Sequence, residues 1–264
     1  MNICNNCQNK FSGKYCNICG EKIISAADFS VKNILLQAFE AITNFDGKLL
    51  KTFTLMFQNP GKLAKKIISG VRVPYFKPFQ IFIVCNLIFF IFLSDVDFFR
   101  IPSEWFFDQN VDFIGKVMDK VENIMKTKNL SLEEVKSAYD SISSNLAKSL
   151  LILLIPFIAL FGILLNKKLE FGKHLIFATL YFSQFLLCTT ILYLIIGNLP
   201  VSSKWYFIVA MALVGLIYYI VSIKAFYQKS LLQSISYGII GFFVLGFFIS
   251  VYRDLINLIS LSLV

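Results

Sequence analysis

Apolar runs at residues 79–94, 149–165, 175–196, 205–223 and 233–252 alternate with short polar stretches through the last two-thirds of the chain. Stretches of roughly 17–25 apolar residues can cross the hydrocarbon core as α-helices. The two shorter runs can be extended through residues 75–78 and 147–148. The pattern predicts an all-α polytopic membrane protein with about five transmembrane helices. Residues 95–148 break it. There Ile114, Val117, Met118, Val121, Ile124 and Met125 recur at helical spacing, so this loop is structured. Ser131 and Glu134 form a capping box that opens a second helix, with Val135, Ala138, Tyr139, Ile142 and Leu146 on one face. That helix is expected to run straight into the second span and to kink at Pro156.

Ahead of the first span, residues 29–43 read as an amphipathic helix with Ser30 as N-cap and Val31, Ile34, Leu35, Ala38, Phe39 and Ile42 on one side. A further helix over 48–57 is expected to stop at Asn59-Pro60-Gly61. The chain thus divides into a small N-terminal module over 1–24, cytoplasmic amphipathic helices and a basic collar over 25–78, and a membrane domain over 79–264.

Composition agrees with this division. Of the 264 residues 57% are hydrophobic and 16% charged, against about 25% charged in soluble domains. The net charge of +9 is concentrated before the first span, where residues 1–78 hold eleven Lys/Arg and four Asp/Glu. Cations beside a span orient it and attract anionic head groups, so Lys62, Lys65, Lys66, Arg72 and Lys77 point to membrane lipids as partners rather than nucleic acid. Residues 62–78 carry those five cations, while 95–111 carry only Arg100. The asymmetry places the N-terminus inside and 95–148 outside. Lys167, Lys168 and Lys173, and then Lys224 and Lys229, fall on the inner side of the same scheme, with the C-terminus outside. Phe98, Phe99, Trp105, Phe106 and Phe107 suit the outer interface.

The strongest chemical signal is Cys4-x-x-Cys7 and Cys16-x-x-Cys19. Two such pairs can converge on one structural Zn²⁺, whose four thiolates leave no open position for catalysis. The thiolates must be reduced to bind, which agrees with a cytoplasmic N-terminus. Gly13 is expected to close a short hairpin, with Phe11 and Tyr15 as apolar support. Cys85 and Cys188 lie in apolar runs and read as small hydrophobes.

The pattern Thr52-x-x-x-Met56-x-x-x-Pro60-Gly61, followed by Ile68-x-Gly70-Val71-Arg72-x-x-Tyr75-x-x-Pro78, resembles the core motif of an uncharacterised bacterial family. Its members join an N-terminal zinc ribbon to several transmembrane helices. The resemblance covers roughly residues 4–95. It implies a multi-pass protein of the bacterial cytoplasmic membrane and supplies architecture without an activity.

Inside the spans no ionisable residue lies near a centre, which disfavours proton-coupled transport. Asn86, Ser183, Gln184, Thr189 and Thr190 are the mid-span polar groups. Ala212, Gly215, Gly238 and Gly241 suit close packing of the fourth and fifth spans. His174 reads as a solvated residue at the inner interface, and Arg253 and Asp254 as the outer end of the last span. The residues assemble no catalytic constellation, so the chain reads as a non-enzyme. The expected function is a membrane binding, scaffold or regulatory protein whose zinc ribbon or external loop docks a protein partner. The alternative is a permease or channel for a neutral or lipid-like solute, with Gln184 and Asn86 on the path.

Overall fold

The computed structural model describes residues 2–4, 8–13, 15–19, 47–93, 97–108, 110–111, 115–196 and 204–264, which fall into two units, 1–50 and 51–264. The amphipathic helix expected over 29–43 lies outside the described residues. In the first unit, strands β1 (Asn2–Ile3) and β2 (Lys10–Phe11) pair antiparallel.

The second unit is all-α apart from a two-stranded hairpin. Residues 51–58 are helical (α1), and Asn59 separates them from α2 (Pro60–Ile68). Asn59 both stops one helix and starts the next: its side chain accepts from the Lys62 N–H, and Pro60 holds the first helical position. Next come α3 (Pro78–Phe92), α4 (Ser103–Phe106), the hairpin β3 (Asn110–Val111) and β4 (Gly115–Lys116), α5 (Val117–Lys128) and α6 (Leu132–Ser149). The long apolar helices α7 (Leu154–Leu165), α8 (Phe171–Ile196), α9 (Lys204–Tyr227) and α10 (Leu231–Leu263) follow.

Among the described residues three helices, α8, α9 and α10, are long and apolar enough to cross a membrane, and α6 with α7 makes a fourth if the bent pair counts as one span. The expectation of five is therefore too high. The first expected span, 79–94, forms the 15-residue α3, about 22 Å of helix against a core of about 30 Å. The second is also not the straight continuation expected. The chain breaks at Leu150, passes through a 3₁₀ turn over Leu151–Leu153, and bends by 48°. Pro156 explains the position: it cannot donate to the carbonyl four residues earlier and crowds it, so strain appears one turn ahead of the ring.

The helix α8 forms the centre, packing on α2, α3, α7 and α9. Its ring-bearing side chains build the core: Phe182 stacks on Phe82 of α3, Phe177 and Tyr181 meet Tyr219 of α9, and the Tyr181 hydroxyl donates to the Gly215 carbonyl at 3.1 Å. Gly238 fits under Ile220, as the small-residue pattern on α9 and α10 anticipated. Gly241 lies against Phe161 and Tyr219, and Gly215 against Phe185 of α8, so these two glycines admit aromatic rings from other helices as well.

The last helix is 33 residues long, whereas the apolar run predicts a span ending near 252. Beyond Tyr252 it continues into a second hydrophobic cluster, where Leu261 and Val264 join Phe106, Phe107, Val117, Val121, Val135 and Tyr139. The apolar stripes of α5 and α6 thus pack on each other and on α10. Phe106 and Phe107 sit against the Tyr139 ring, and Phe99 packs on Phe89 and Tyr252. Those three phenylalanines are core residues rather than the interfacial ones expected: Phe106 and Phe107 share a cluster with the α10 extension, and Phe99 joins the main core. Trp105 stays 73% exposed.

Candidate metal centre and the membrane-face motif

Cys4 and Gln8 tie the two strands of the N-terminal hairpin together. Cys4 donates its N–H to the Asn9 carbonyl, and Gln8 donates back to the Cys4 carbonyl, both at 2.9 Å. Gln8 takes a positive φ of 59° to close this turn. Gly13, expected to close the hairpin, instead follows β2 at φ 110°, in a conformation that favours glycine. Cys4, Cys16 and Phe11 are buried together, and Asn9 bonds Asn17 across the two halves. Tyr15 is exposed and gives no apolar support.

This folding brings the sulfurs of Cys4, Cys16 and Cys19 within 4.8 Å of one another, with Cys4 and Cys19 Sγ 3.4 Å apart and none of the three in a disulfide. Thiolates around one Zn²⁺ at about 2.3 Å stand about 3.8 Å from each other. The spacing fits a shared metal ion. Cys7 lies outside the described residues. Asp97 and Asp108 do not join a metal-type cluster among the described residues: Asp97 pairs with Arg100, and Asp108 is exposed.

The motif residues of 52–78 have a different job. Thr52 is buried and its hydroxyl accepts the Phe76 N–H at 3.1 Å, clamping α1 to the loop before α3. Met56, Leu63 and Ala64 are fully buried. Gly61 touches the backbone of Ser222, near the end of α9, so closely that a Cβ would overlap its carbonyl oxygen. Gly70, at φ 98°, turns the chain after α2. Arg72 folds back and donates from Nε to the Ile67 carbonyl at 3.3 Å. The motif thus docks a short amphipathic helix across α8 and α9 and leaves Lys62, Lys65 and Lys66 on its exposed face.

At the same end of the bundle, His174 departs from expectation. It is fully buried, its Nδ1 2.9 Å from the Tyr227 hydroxyl, and both rings press on Gly162. The partner lies 53 residues away, so neighbouring residues gave no sign of burial. At the opposite end a polar clasp went unread. The Asp140 carboxylate accepts from Arg100 Nη1 at 2.5 Å, from the Ser103 N–H at 3.0 Å and from the Ser103 hydroxyl at 2.6 Å. Asp97 lies 2.6 Å from Arg100 Nε. The Tyr139 hydroxyl and the Asn257 amide hold the two backbone groups of Ile101. Burial raises the Asp140 pKa, but the hydrogen bonds from Ser103 and Arg100 outweigh it and hold this carboxyl, outside the apolar span 149–165, below its ordinary value. Arg100 and Asp140 are 40 residues apart, and only a charge in an otherwise amphipathic stripe hinted at them.

Gln184 is buried in α8, and among the described residues neither amide atom has a hydrogen-bond partner; Asn86 donates to the Lys148 carbonyl at 3.3 Å, while its own oxygen has no partner among them. Ser183, Thr189 and Thr190 bond carbonyls of their own helix.

Fold and site together define an all-α protein of the membrane type carrying a cluster of cysteine thiols able to hold a metal ion. Residues 46–90 match the model of a family described as a protein of unknown function (DUF3667). The matched stretch runs from just ahead of α1 to near the end of α3 and so contains the docked segment. No curated protein and no solved structure matches the chain.

Proposed function

We propose that the protein is a membrane-embedded adaptor or regulator whose N-terminal Zn²⁺ ribbon, held by Cys4, Cys7, Cys16 and Cys19, docks a partner protein in the bacterial cytoplasm. The observation that supports it most is the convergence of three thiols on a hairpin too small to bury a core of its own. Such a module draws its folding energy from the metal. A closed thiolate site supplies shape rather than reaction, which suits recognition. Reduced thiols and the cations of α2 favour the inner side of the membrane for the N-terminus, with 95–148 outside.

The test is affinity capture from native membranes, with metal analysis of the same preparation. Wild type is expected to carry about one zinc per chain and to retain a partner. A Cys4→Ser/Cys16→Ser variant is expected to lose both while its membrane unit melts unchanged. Disulfides among these cysteines, or a zinc-free protein that keeps its partner, would overturn the reading.

One observation favours a permease for a neutral or lipid-like solute: the unpartnered amide of Gln184 within the membrane unit. A buried amide without partners costs about 1–3 kcal/mol, so a path would explain its presence. Gln184→Leu separates the two. On the adaptor reading the variant is folded and at least as stable, because an unsatisfied group is replaced by an apolar one. Loss of a measured solute flux in that folded variant would establish the permease instead.

A further inference from the structure

We infer that the surface formed by α2 and the loop over 69–77 seats the phosphate head groups of anionic membrane lipids, with the loop tip entering the acyl boundary. The sequence between Asp46 and Asp95 has no acidic residue. Within it Lys62, Lys65, Lys66, Arg72 and Lys77 are all exposed. The opposite face of α2, with Leu63, Ala64 and Ile67, is buried, and the helix packs on α8 and α9, so the helix cannot roll to hide its cations. The charge is fixed at one end of the bundle rather than carried on a free tail.

The cations are also positioned. Lys66 Nζ donates to the Tyr75 hydroxyl at 3.2 Å and lies 5.8 Å from the centre of that ring. Arg72 is tied by Nε to the last turn of α2, in the reversal that Gly70 permits. A phosphate reaching this reversal meets an ammonium, a guanidinium and a phenol hydroxyl on one short stretch of chain. Arg and Lys recognise phosphate by charge-assisted hydrogen bonds.

Two valines decide between sources of phosphate. Val73 is 81% exposed and Val71 46% exposed, flanking Arg72 at the tip of the loop. A soluble phosphate compound would use the cations and leave both valines in water. A bilayer uses all of them, because cations meet head groups while apolar side chains sink beneath.

The experiment is native mass spectrometry of the full-length protein in detergent, titrated with phosphatidylglycerol or phosphatidylcholine. Wild type is expected to retain phosphatidylglycerol preferentially. Lys66→Gln/Arg72→Gln is expected to weaken that retention roughly fivefold for each cation removed, about 25-fold in all, and to leave phosphatidylcholine unchanged. Val73→Ser is expected to weaken retention of both lipids. If the double variant does not fold, Lys62→Gln/Lys65→Gln on the outer face of α2 gives the same reading. Equal retention of the two lipids by wild type, or undiminished preference in a folded double variant, overturns the proposal. So does displacement of phosphatidylglycerol by equimolar inorganic phosphate, which would assign the seat to a soluble ligand. Unaltered lipid preference with loss of a captured acidic protein would assign it to a protein.

Discussion

Gly61→Ala is expected to destabilise the membrane unit by about 2–3 kcal/mol, at the upper end of what overpacking costs. The new methyl group would overlap the Ser222 carbonyl oxygen and stand 2.8 Å from its Cα and 2.9 Å from its carbonyl carbon. All three are backbone atoms of α9, so no rotamer change relieves them. The whole of α2 must lift, exposing Leu63, Ala64 and Ile67. Gly238→Ala makes an instructive contrast: its methyl overlaps Ile220 Cγ1, while the Ile220 Cα remains 3.5 Å away. A flexible side chain can yield there, and a smaller loss follows. Thermal melting in detergent, with Gly172→Ala as a control in open space, checks the order. A Gly61→Ala protein that melts with wild type would mean that α2 is not docked on α9.

Asp140→Ala is expected to cost about 1–2 kcal/mol, less than a fully buried pair because 35% of the Asp140 side chain remains in water. Arg100, whose side chain is only 12% exposed, loses a carboxylate, and Ser103 loses partners for both its N–H and its hydroxyl. The damage should be local. Hydrogen exchange should quicken over 97–108 and at the end of α10, with α8 unaffected. The pH dependence follows from the sign of the shift. The folded-state value lies below the unfolded one, so this carboxyl adds stability above its unfolded pKa, lost as pH falls through the folded one. Asp140→Asn should flatten that acid limb. An acid limb identical in wild type and Asp140→Asn would remove the clasp from the account.

Local signals were read well. The Ser131–Glu134 capping box is present in full, with the Ser131 N–H donating to the Glu134 carboxylate at 2.8 Å and the Glu134 N–H donating to the Ser131 hydroxyl at 3.3 Å. The cysteine spacing named three residues that do converge. Asn59-Pro60 signals the end of one helix in the sequence, and in the structure the same pair also supplies the N-cap and N1 residues that start α2. What failed depends on distant parts of the chain. The short α3 packs on α8, and the buried His174 meets Tyr227 of α9, 53 residues away. Hydropathy also cannot tell lipid from protein as the solvent of an apolar helix. The last eleven residues of α10 therefore went unassigned, although nothing in them would end a helix.

That long helix has a mechanical consequence. At 33 residues α10 is a rod of about 50 Å. Near its start the half-buried Lys229 lies over the Tyr237 ring, and its final residues are wedged among Phe106, Val121 and Tyr139. A 10° swing about its midpoint would carry each tip by about 4 Å. Such a displacement is enough to unseat Leu261 and Val264 from their pocket, so the tilt of the rod is tied to the packing of the far cluster.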